Sequence, residues 1–313
     1  MARRKIIIDT DPGQDDAIAI LLALASPEEL EVLAITAVAG NVPLKLTSRN
    51  ARVICELAGH TDVPVHEGAD RPIRRTLVTA EHVHGKTGLD GADLPDPKMH
   101  VAAQPAVEAI IHHVRREPPG TVTLCPLGPL TNIALAFERA PDIVERLAGI
   151  VLMGGAYFEV GNVTPAAEFN IFVDPEAADI VMNSGTDITI LPLDATHQAL
   201  ITRRWLDELA KVDTPVARAA CGWLDFFERY DMEKYGGAGG PLHDPCVIAY
   251  LLKPELFEGR HINVEIETLS ELTRGMTVAD WWGVTDRAPN ATFIGKVDAE
   301  GFFDLLLERL ARL

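Results

Sequence analysis

Continuous apolar runs and segments with helically spaced apolar residues alternate along the first two thirds of this chain. The runs are short and aliphatic, as in strands that are buried on both faces of a sheet. They occupy residues 5–8, 31–39, 63–65, 121–126, 149–153 and 187–193, and the helical segments occupy 17–24, 43–58, 104–116, 130–139 and 175–184. This alternation predicts an α/β fold with a Rossmann-like, mostly parallel sheet flanked by helices.

The last third of the chain follows a different pattern. Residues 200–235 are predicted to be helical with an aromatic face, and a glycine-rich break at 236–240 precedes another helix. Three runs that we predict to be extra antiparallel strands near the C-terminus, at a sheet edge, come next, and a helix closes the chain: 262–268, 276–282, 291–298 and 300–312. Because no repeat or interdomain linker is visible, we expect a single domain over residues 1–313.

Polar residues stand at the ends of several predicted strands. Asp11 and Asn41 follow the first two, and later strands end at the turns 127–132 and 153–155 and at Asp194. Ligands of open α/β sheets bind beyond the carboxyl ends of the strands, so these residues are expected to meet at one edge. The pattern predicts one active site there. Two polar loops without periodicity are long enough to contribute to it, 67–103 and 156–174.

Four carboxylates, Asp9, Asp11, Asp15 and Asp16, lie within eight positions at the end of the first strand. Like charges this close repel unless a cation, protons or hydrogen bonds compensate them, and oxygen ligands suit a hard cation. Helix capping is the simpler alternative, with Asp11 as N-cap before a proline and the other acids near the positive end of the helix dipole. Capping explains two carboxylates but not four. We therefore favour a metal or catalytic site.

The composition of the chain limits which binding partners and which cellular compartment we expect. The formal charge of −18 argues against binding to nucleic acid or to anionic membranes. The four cysteines are widely spaced and form no CxxC pair, which is typical of reduced thiols in a cytosol. No apolar run approaches the length of a membrane span, and the apolar segment after Lys5 stops at Asp9. We expect a soluble cytoplasmic protein that binds a small molecule.

The ordered motifs of the chain resemble those of the inosine–uridine nucleoside hydrolases. The acidic segment 9–16, Asp-Thr-Asp-Pro-Gly-Gln-Asp-Asp, is similar to the N-terminal signature of that family. Further matching segments occur in the same order, at 39–41, 84–91, 128–132, 153–155, 168–170 and 243–245. They extend over residues 5 to about 250, nearly the whole chain. The ordered set is far more specific than any one of these segments alone.

The resemblance implies an enzyme that hydrolyses ribonucleosides with a calcium ion (Ca²⁺). Its metal ligands would be the carboxylates of Asp11, Asp16 and Asp244 and the backbone carbonyl of Leu127, since calcium accepts carboxylates and carbonyls together. Asp15 would be the general base that deprotonates the attacking water. The resemblance also implies a homodimer or homotetramer.

A second set of residues would recognise the ribose. By resemblance these are Asn41, Asn162, Glu168 and Asn170, with the backbone near Met153 along the sugar. Without the resemblance, the asparagines 162 and 170 would be ordinary turn residues.

The leaving base would be met by histidines, which titrate near neutral pH. His84 and His243 are the candidates, although His243 could equally be a helix-start residue beside a metal ligand. His82 is expected to be an exposed loop residue and His197 to be structural. Tyr235, eight residues before His243, completes a pair that resembles pyrimidine-preferring or non-specific members of the family. Helix 214–235 is a candidate lid or a packed core element.

Two other classes of protein compete with this hypothesis. Magnesium-dependent phosphotransferases of the haloacid dehalogenase type also begin with a strand and Asp-x-Asp, but Gly13 stands where they carry Thr or Val. A non-catalytic nucleoside- or sugar-binding protein would use the same metal pocket without turnover. The presence of Asp15 beside the expected metal ligands gives no reason to prefer that alternative.

Overall fold

The computed structural model describes residues 3–235 and 239–313, apart from the side chains at 231, 232, 234 and 235. Its strands are β1 Arg4–Thr10, β2 Leu30–Ala37, β3 Val65–Glu67, β4 Val122–Pro126, β5 Leu147–Met153, β6 Ile188–Leu191, β7 Phe257–Ile262, β8 Val264–Ile266, β9 Thr277–Ala279 and β10 Ala291–Val297. Its α-helices are α1 Gln14–Leu24, α2 Leu44–Leu57, α3 Glu81–His84, α4 Ala106–Arg116, α5 Thr131–Arg139, α6 Phe169–Val173, α7 Pro175–Met182, α8 Leu193–Thr196, α9 Arg203–Ala210, α10 Pro215–Tyr235, α11 Pro245–Leu252 and α12 Ala299–Leu310.

Eight of the strands form one sheet in the order β3-β2-β1-β4-β5-β6-β10-β7. All neighbouring pairs are parallel except β10 and β7. This arrangement confirms the predicted α/β fold with a mostly parallel sheet. The reversal of strand order beside β1 puts the end of that strand at the topological switch point, where ligands of such sheets bind.

Strand β1 is buried because helices cover both faces of the sheet. Ile6 and Ile8 point to a core shared with α1, α10, α11 and α12, whereas Ile7 points to a second core shared with α4, α5 and α7. Successive side chains of a strand alternate between the faces, so a sheet with two cores requires three consecutive apolar residues here. Within the described ranges no helix is long and apolar enough to cross a membrane.

The predicted extra antiparallel strands near the C-terminus are present, in the pairs β7–β10 and β8–β9, but they are not three successive strands at one sheet edge. The strand at Ala291–Val297 lies inside the main sheet, parallel to β6, and the edge strand is β7, which the sequence pattern missed. The reason is exposure: the middle four residues of β7 face solvent and carry no apolar pattern. Strands β8 and β9 are antiparallel as predicted but form a separate two-stranded sheet.

The two loops predicted to be irregular contain short helices. In the second, helix α6 starts at Phe169 because the Glu168 carboxylate accepts hydrogen bonds from the N–H groups of Asn170, at 2.9 Å, and Ile171, at 3.2 Å. In the first, helix α3 spans Glu81–His84. Both helices lie at the carboxyl edge of the sheet, where they add side chains to the cavity described next.

Candidate active site

A group of buried carboxylates lies where β1 enters α1. Asp11, Asp15 and Asp16 come from this turn, and Asp244 arrives from the start of α11, which packs against α1. None of the four is more than 5% exposed. Carboxylate oxygens of Asp15, Asp16 and Asp244 lie within 4.8 Å of one another. Residues more than 200 positions apart in sequence thus share one floor.

Hydrogen bonds from neighbouring residues hold the carboxylates of Asp16 and Asp11 in place. Asp16 accepts bonds from the Thr10 hydroxyl at 2.5 Å and from the Gly13 N–H at 2.9 Å. Asp11 accepts a bond from the Asn41 N–H at 2.7 Å, and the Asn41 side chain donates to Asp16 at 3.3 Å. The helix N-cap is Gly13 and not Asp11, so capping by Asp11 is the wrong interpretation.

Two carboxylate oxygens of this group have no hydrogen-bond partner within the described residues. They are Oδ1 of Asp11 and Oδ1 of Asp15, and both are buried. Burial, followed by the charge of Asp16, raises the pKa of Asp15 to about 8. Burial and neighbouring carboxylates also raise the pKa of Asp11 and of Asp244 well above the ordinary range. Unpartnered carboxylate oxygens in such a group are the donors that a hard divalent cation takes, so these residues fit calcium.

Two glycines let other strand ends approach Asp11. A Cβ at Gly40, after β2, would overlap Oδ2 of Asp11, and a Cβ at Gly128, after β4, would overlap Oδ1. The backbone of both loops therefore lies against the carboxylate. This packing brings the carbonyl of Leu127 to the site, where it accepts a 2.7 Å bond from the Asn170 side chain. A carbonyl oxygen has a second lone pair for another partner.

Asp9 connects elements of the fold next to the site through its hydrogen bonds. Its carboxylate accepts bonds from the Thr36 hydroxyl at 2.5 Å and the Asn132 amide at 2.8 Å, which ties β1 to β2 and α5. Burial raises its pKa to about 7. Asp9 and Asp11 both lie outside the closest group of carboxylates, which consists of Asp15, Asp16 and Asp244.

One cavity opens above the carboxylates and brings together all five residues predicted for the sugar. It is lined by Asp15, Asn41, Leu127, Met153, Asn162, Glu168, Asn170 and Asp244. The Asn162 side-chain oxygen accepts the Phe169 N–H at 2.9 Å, and the Glu168 carboxylate also accepts the Gly155 N–H at 3.0 Å. Burial raises the pKa of Glu168 to about 7. These groups can hold several hydroxyls of a small ligand.

Both predicted histidines line the same cavity. Nδ1 of His84 lies 2.8 Å from the Gln14 side-chain oxygen, and Nδ1 of His243 lies 2.7 Å from the Thr196 hydroxyl. Burial lowers the pKa of His84 to about 3. Burial, with the nearby His197, also lowers the pKa of His243 well below its usual value. Both rings are therefore uncharged at neutral pH.

Most residues of the outer wall of the cavity carry no signal in the sequence that singles them out. His82 and Tyr230 contact edge to face with 5.5 Å between ring centroids, and Phe227 lies 5.7 Å from the ring of His84. The aromatic spacing on α10 was a usable signal, but it equally fits core packing. His82 is exposed as predicted, yet it lines the cavity, as does His197, which pairs with Glu159 at 3.1 Å. The side chain of Tyr235 lies outside the described residues.

The fold and the site together define a class of protein. Buried carboxylates at the switch point, amides beside them and an aromatic outer wall are the features of an α/β protein with a small-molecule active site.

Comparison with known proteins identifies the family. The family model described as inosine-uridine preferring nucleoside hydrolase matches residues 6–304. The chain is 50% identical over 307 residues to the pyrimidine-specific ribonucleoside hydrolase RihA of Shewanella oneidensis, covering 98% of this chain and 96% of that protein. It is also 50% identical, over 99% of both chains, to an uncharacterised protein of Schizosaccharomyces pombe.

A solved structure agrees with these matches. The purine-preferring ribonucleoside hydrolase from Gardnerella vaginalis superposes with a TM-score of 0.92 at 33% identity, covering 98% of each chain. The chain belongs to the inosine-uridine preferring nucleoside hydrolase family, and it is an N-glycosyl hydrolase. This excludes the phosphotransferase alternative and leaves the non-catalytic alternative without support.

Proposed function

We propose that the enzyme hydrolyses the N-glycosidic bond of ribonucleosides to free base and ribose in a calcium-dependent reaction. The observation that carries this proposal is the buried carboxylate group, with its unpartnered oxygens, at the floor of a cavity lined by hydroxyl-binding side chains. Calcium would be held by Asp11, Asp16, Asp244 and the carbonyl of Leu127. When bound, calcium supplies positive charge that lowers the pKa of a nearby water and orients the sugar hydroxyls.

Asp15 is the proposed general base. It lines the cavity beside Asp16 and Asp244, and its Oδ1 has no hydrogen-bond partner within the described residues. Burial and the charge of Asp16 raise its pKa to about 8, and a neighbouring cation opposes that rise. A carboxylate with a free oxygen in this position can take a proton from water as the water attacks C1′ of the ribose.

Ribose binding falls to Asn41, Asn162, Glu168, Asn170 and the backbone near Met153. Their polar atoms are already braced: the Asn170 amide donates to the carbonyls of Leu127 and Met153, at 2.7 and 3.2 Å. Fixed groups of this kind stabilise a flattened, oxocarbenium-like sugar better than mobile ones. Cleavage then follows a single displacement, in which water attacks as the bond to the base breaks.

The leaving base is proposed to meet histidines at the outer end of the cavity. His243 faces it from the segment just before α11, and His84 faces it from α3. Because both rings are uncharged, an N–H group of His243 would stabilise the base by donating a hydrogen bond as negative charge develops. Tyr235 is retained as a proposed contact of the base.

We propose a preference for pyrimidine nucleosides or a broad specificity. The cavity is lined by Val83, Phe227 and Tyr230, and no tryptophan lies among its described lining residues. Purine-specific members tend to stack the base between tryptophans, so this wall favours the smaller base. The name of the relative from Shewanella oneidensis points the same way, whereas that of the structure from Gardnerella vaginalis points to purines.

The test of the proposed function is ribose release from uridine, cytidine, inosine and adenosine, with calcium and with a chelator. We expect turnover of uridine and cytidine that is lost on chelation and restored by calcium, with no requirement for phosphate. Absence of turnover for every nucleoside in calcium-replete protein would contradict the proposal. Turnover that needs phosphate would indicate a phosphorylase.

A homo-oligomer, as a dimer or tetramer, is also proposed. Phe158, Trp282 and Val284 are 61%, 73% and 84% exposed, which is unusual for large apolar side chains. Trp281 connects them, because its ring contacts Phe158 and lies under the guanidinium of Arg260. Exposed apolar patches of this kind mark surfaces that another chain covers.

A further inference from the structure

Gln14 precedes Asp15 and has no part in the proposed chemistry, yet its side chain is fully buried. Its amide nitrogen donates to the backbone carbonyls of His84, at 2.9 Å, and Asp90, at 3.0 Å. Its amide oxygen lies 2.8 Å from Nδ1 of the His84 ring. Both ends of the amide are therefore used, and helix α1 is joined to the segment 84–90.

These contacts fix which end of the amide faces the imidazole. Exchanging the two ends would point the amide oxygen at two carbonyl oxygens and leave both N–H groups without their acceptors. The oxygen must therefore face Nδ1 of His84. Because an amide oxygen only accepts, Nδ1 carries the hydrogen and the neutral ring has its lone pair on Nε2.

The surroundings of the ring hold it in this position. A Cβ at Gly13 would overlap the His84 ring atoms Nδ1 and Cε1, so the imidazole is packed against the backbone there. Phe227 lies on another side, at 5.7 Å between centroids. Burial and the nearby His82 favour the uncharged ring by lowering its pKa to about 3. Nε2 is the ring nitrogen that remains for a ligand in the cavity.

We propose that Gln14 is a positioning residue that holds His84 as the Nδ1–H tautomer, so that Nε2 accepts a hydrogen bond from a hydroxyl or N–H group of the nucleoside. This inference rests on the proposed function and makes it more specific. His84 then binds substrate as an acceptor and does not protonate the leaving base. The proton or hydrogen bond for the base must come from another group, for which His243 is the candidate.

Asn50 provides a matched control. Its amide donates to the carbonyls of Pro12, at 3.0 Å, and Thr87, at 2.8 Å. It therefore joins the same two segments of the chain as Gln14 but does not contact the imidazole. A substitution of Asn50 loosens the 84–90 segment without removing the acceptor that sets the tautomer.

The tautomer can be measured directly by long-range ¹H–¹⁵N correlation on the calcium-loaded full chain with ¹⁵N-labelled histidine, with His84→Gln to assign the signal. We expect the Nδ1–H pattern for the parent and for Asn50→Leu. Gln14→Met, with Gln14→Leu as a second variant, should shift the signal towards the Nε2–H tautomer. An Nε2–H pattern in the parent, an unchanged pattern in both Gln14 variants, or an equal shift in Asn50→Leu would overturn the proposal.

Kinetics provide the second readout. Gln14→Met should lower kcat/KM for the best nucleoside by about 10- to 100-fold, as for loss of one buried hydrogen bond to a substrate. Asn50→Leu should stay within about threefold. His84→Gln, which keeps an acceptor near the place of Nε2, should keep the shape of the pH profile. Loss of the alkaline limb in His84→Gln would overturn the proposal, because it would show that His84 donates a proton.

The two proposals can fail separately. If the parent hydrolyses no nucleoside, the proposed function is wrong, while the tautomer measurement still decides the role of Gln14. If turnover is found but the parent carries the Nε2–H tautomer, only the inference about Gln14 and His84 is wrong.

Discussion

Asp15 and Asp244 line the cavity and Asp11 and Asp16 are buried next to them, but the neighbours of these four aspartates make them unequal. Asp16 accepts three hydrogen bonds and is the most firmly held. Asp11 uses one oxygen for Asn41, and its other oxygen accepts no hydrogen bond from the part of the chain that the structure describes. Asp15 faces the cavity, and its Oδ1 likewise has no partner there. Identical residue types therefore suit different tasks, and the surroundings of each carboxylate support the role proposed for it.

The first residue-scale prediction concerns Asp15→Asn. Removing the proposed base should lower kcat by about 10²- to 10⁴-fold, the usual contribution of general base catalysis. The amide keeps nearly the same shape, so nucleoside binding should change by less than about tenfold. Steady-state kinetics and equilibrium binding of the best substrate check both parts. Near-normal turnover would show that another group is the base.

The second prediction concerns Glu168 and pH. Its pKa rises from 4.5 to about 7 on folding, so between these pH values the folded chain holds a proton that the unfolded chain has lost. The free energy of unfolding must then fall as pH rises through that window. Glu168→Gln removes this proton, and its melting temperature should depend less on pH between 5 and 8, measured in chelator. An identical slope for parent and variant would contradict the raised pKa.

At the scale of elements, the site depends on loops that follow β1, β2 and β4 and come into contact at Asp11. Gly40 and Gly128 are required there because any side chain would occupy the space of the carboxylate. Asp194, after β6, has a related role: its carboxylate accepts the N–H groups of Tyr157, Phe158 and Glu159 and fixes the start of the loop that ends at Glu168. The strand ends thus shape the cavity through backbone contacts as well as side chains.

The element-scale prediction is a comparison of Gly128→Ala with Gly154→Ala. The first adds a methyl group that overlaps Oδ1 of Asp11, so calcium affinity should fall at least tenfold. The second, after β5, meets the flexible end of Ile171 at 3.2 Å and should leave calcium affinity within about threefold. Calorimetric titration of the metal-free proteins measures both. Equal affinities would show that Asp11 takes no part in metal binding.

At the scale of the whole molecule, the proposed calcium site joins distant parts of the chain. Asp11 and Asp16 come from the first strand and helix, Leu127 from the middle and Asp244 from α11. Four buried acids held together without a cation oppose folding, because burial and mutual repulsion disfavour their charged forms. A ligand that binds only the folded chain stabilises it by mass action.

Calcium should therefore raise the melting temperature. At a free concentration 100 times Kd the gain is about 2.7 kcal/mol, which corresponds to several degrees in a chain of this size. The matched variant Asp244→Asn should melt at a similar or higher temperature in chelator and respond weakly to calcium. A calcium response equal to that of the parent would exclude Asp244 as a ligand. Differential scanning calorimetry provides the comparison.

The exposed apolar side chains of Phe158, Trp282 and Val284 lead to a second prediction at this scale. Sedimentation should give a mass of two or four times the 34.0 kDa chain for the parent. Trp282→Lys places a charge in the patch and should shift the distribution towards the monomer. A parent that is monomeric at micromolar concentration would contradict the proposed oligomer, and an unchanged mass in the variant would place the interface elsewhere.

The sequence by itself determined the local features of this protein. Three isoleucines followed by acids predicted a buried strand that ends in a charged turn, and apolar spacing predicted most helices, because these patterns reflect which faces neighbouring residues bury. Strand β7 was missed because its exposed residues carry no such pattern. The interior position of β10 depends on which strands it pairs with, and that pairing is not encoded in local spacing.

Only the tertiary structure decided how distant residues act together. It brought Asp244 within 4.8 Å of Asp15 and Asp16, set His82 against Tyr230, and turned Gln14 towards His84. Hydrogen-bond direction, tautomer and pKa follow from such long-range contacts and from burial, neither of which a linear pattern contains. The sequence indicated which residues could carry the chemistry, and packing decided how each one is oriented and charged.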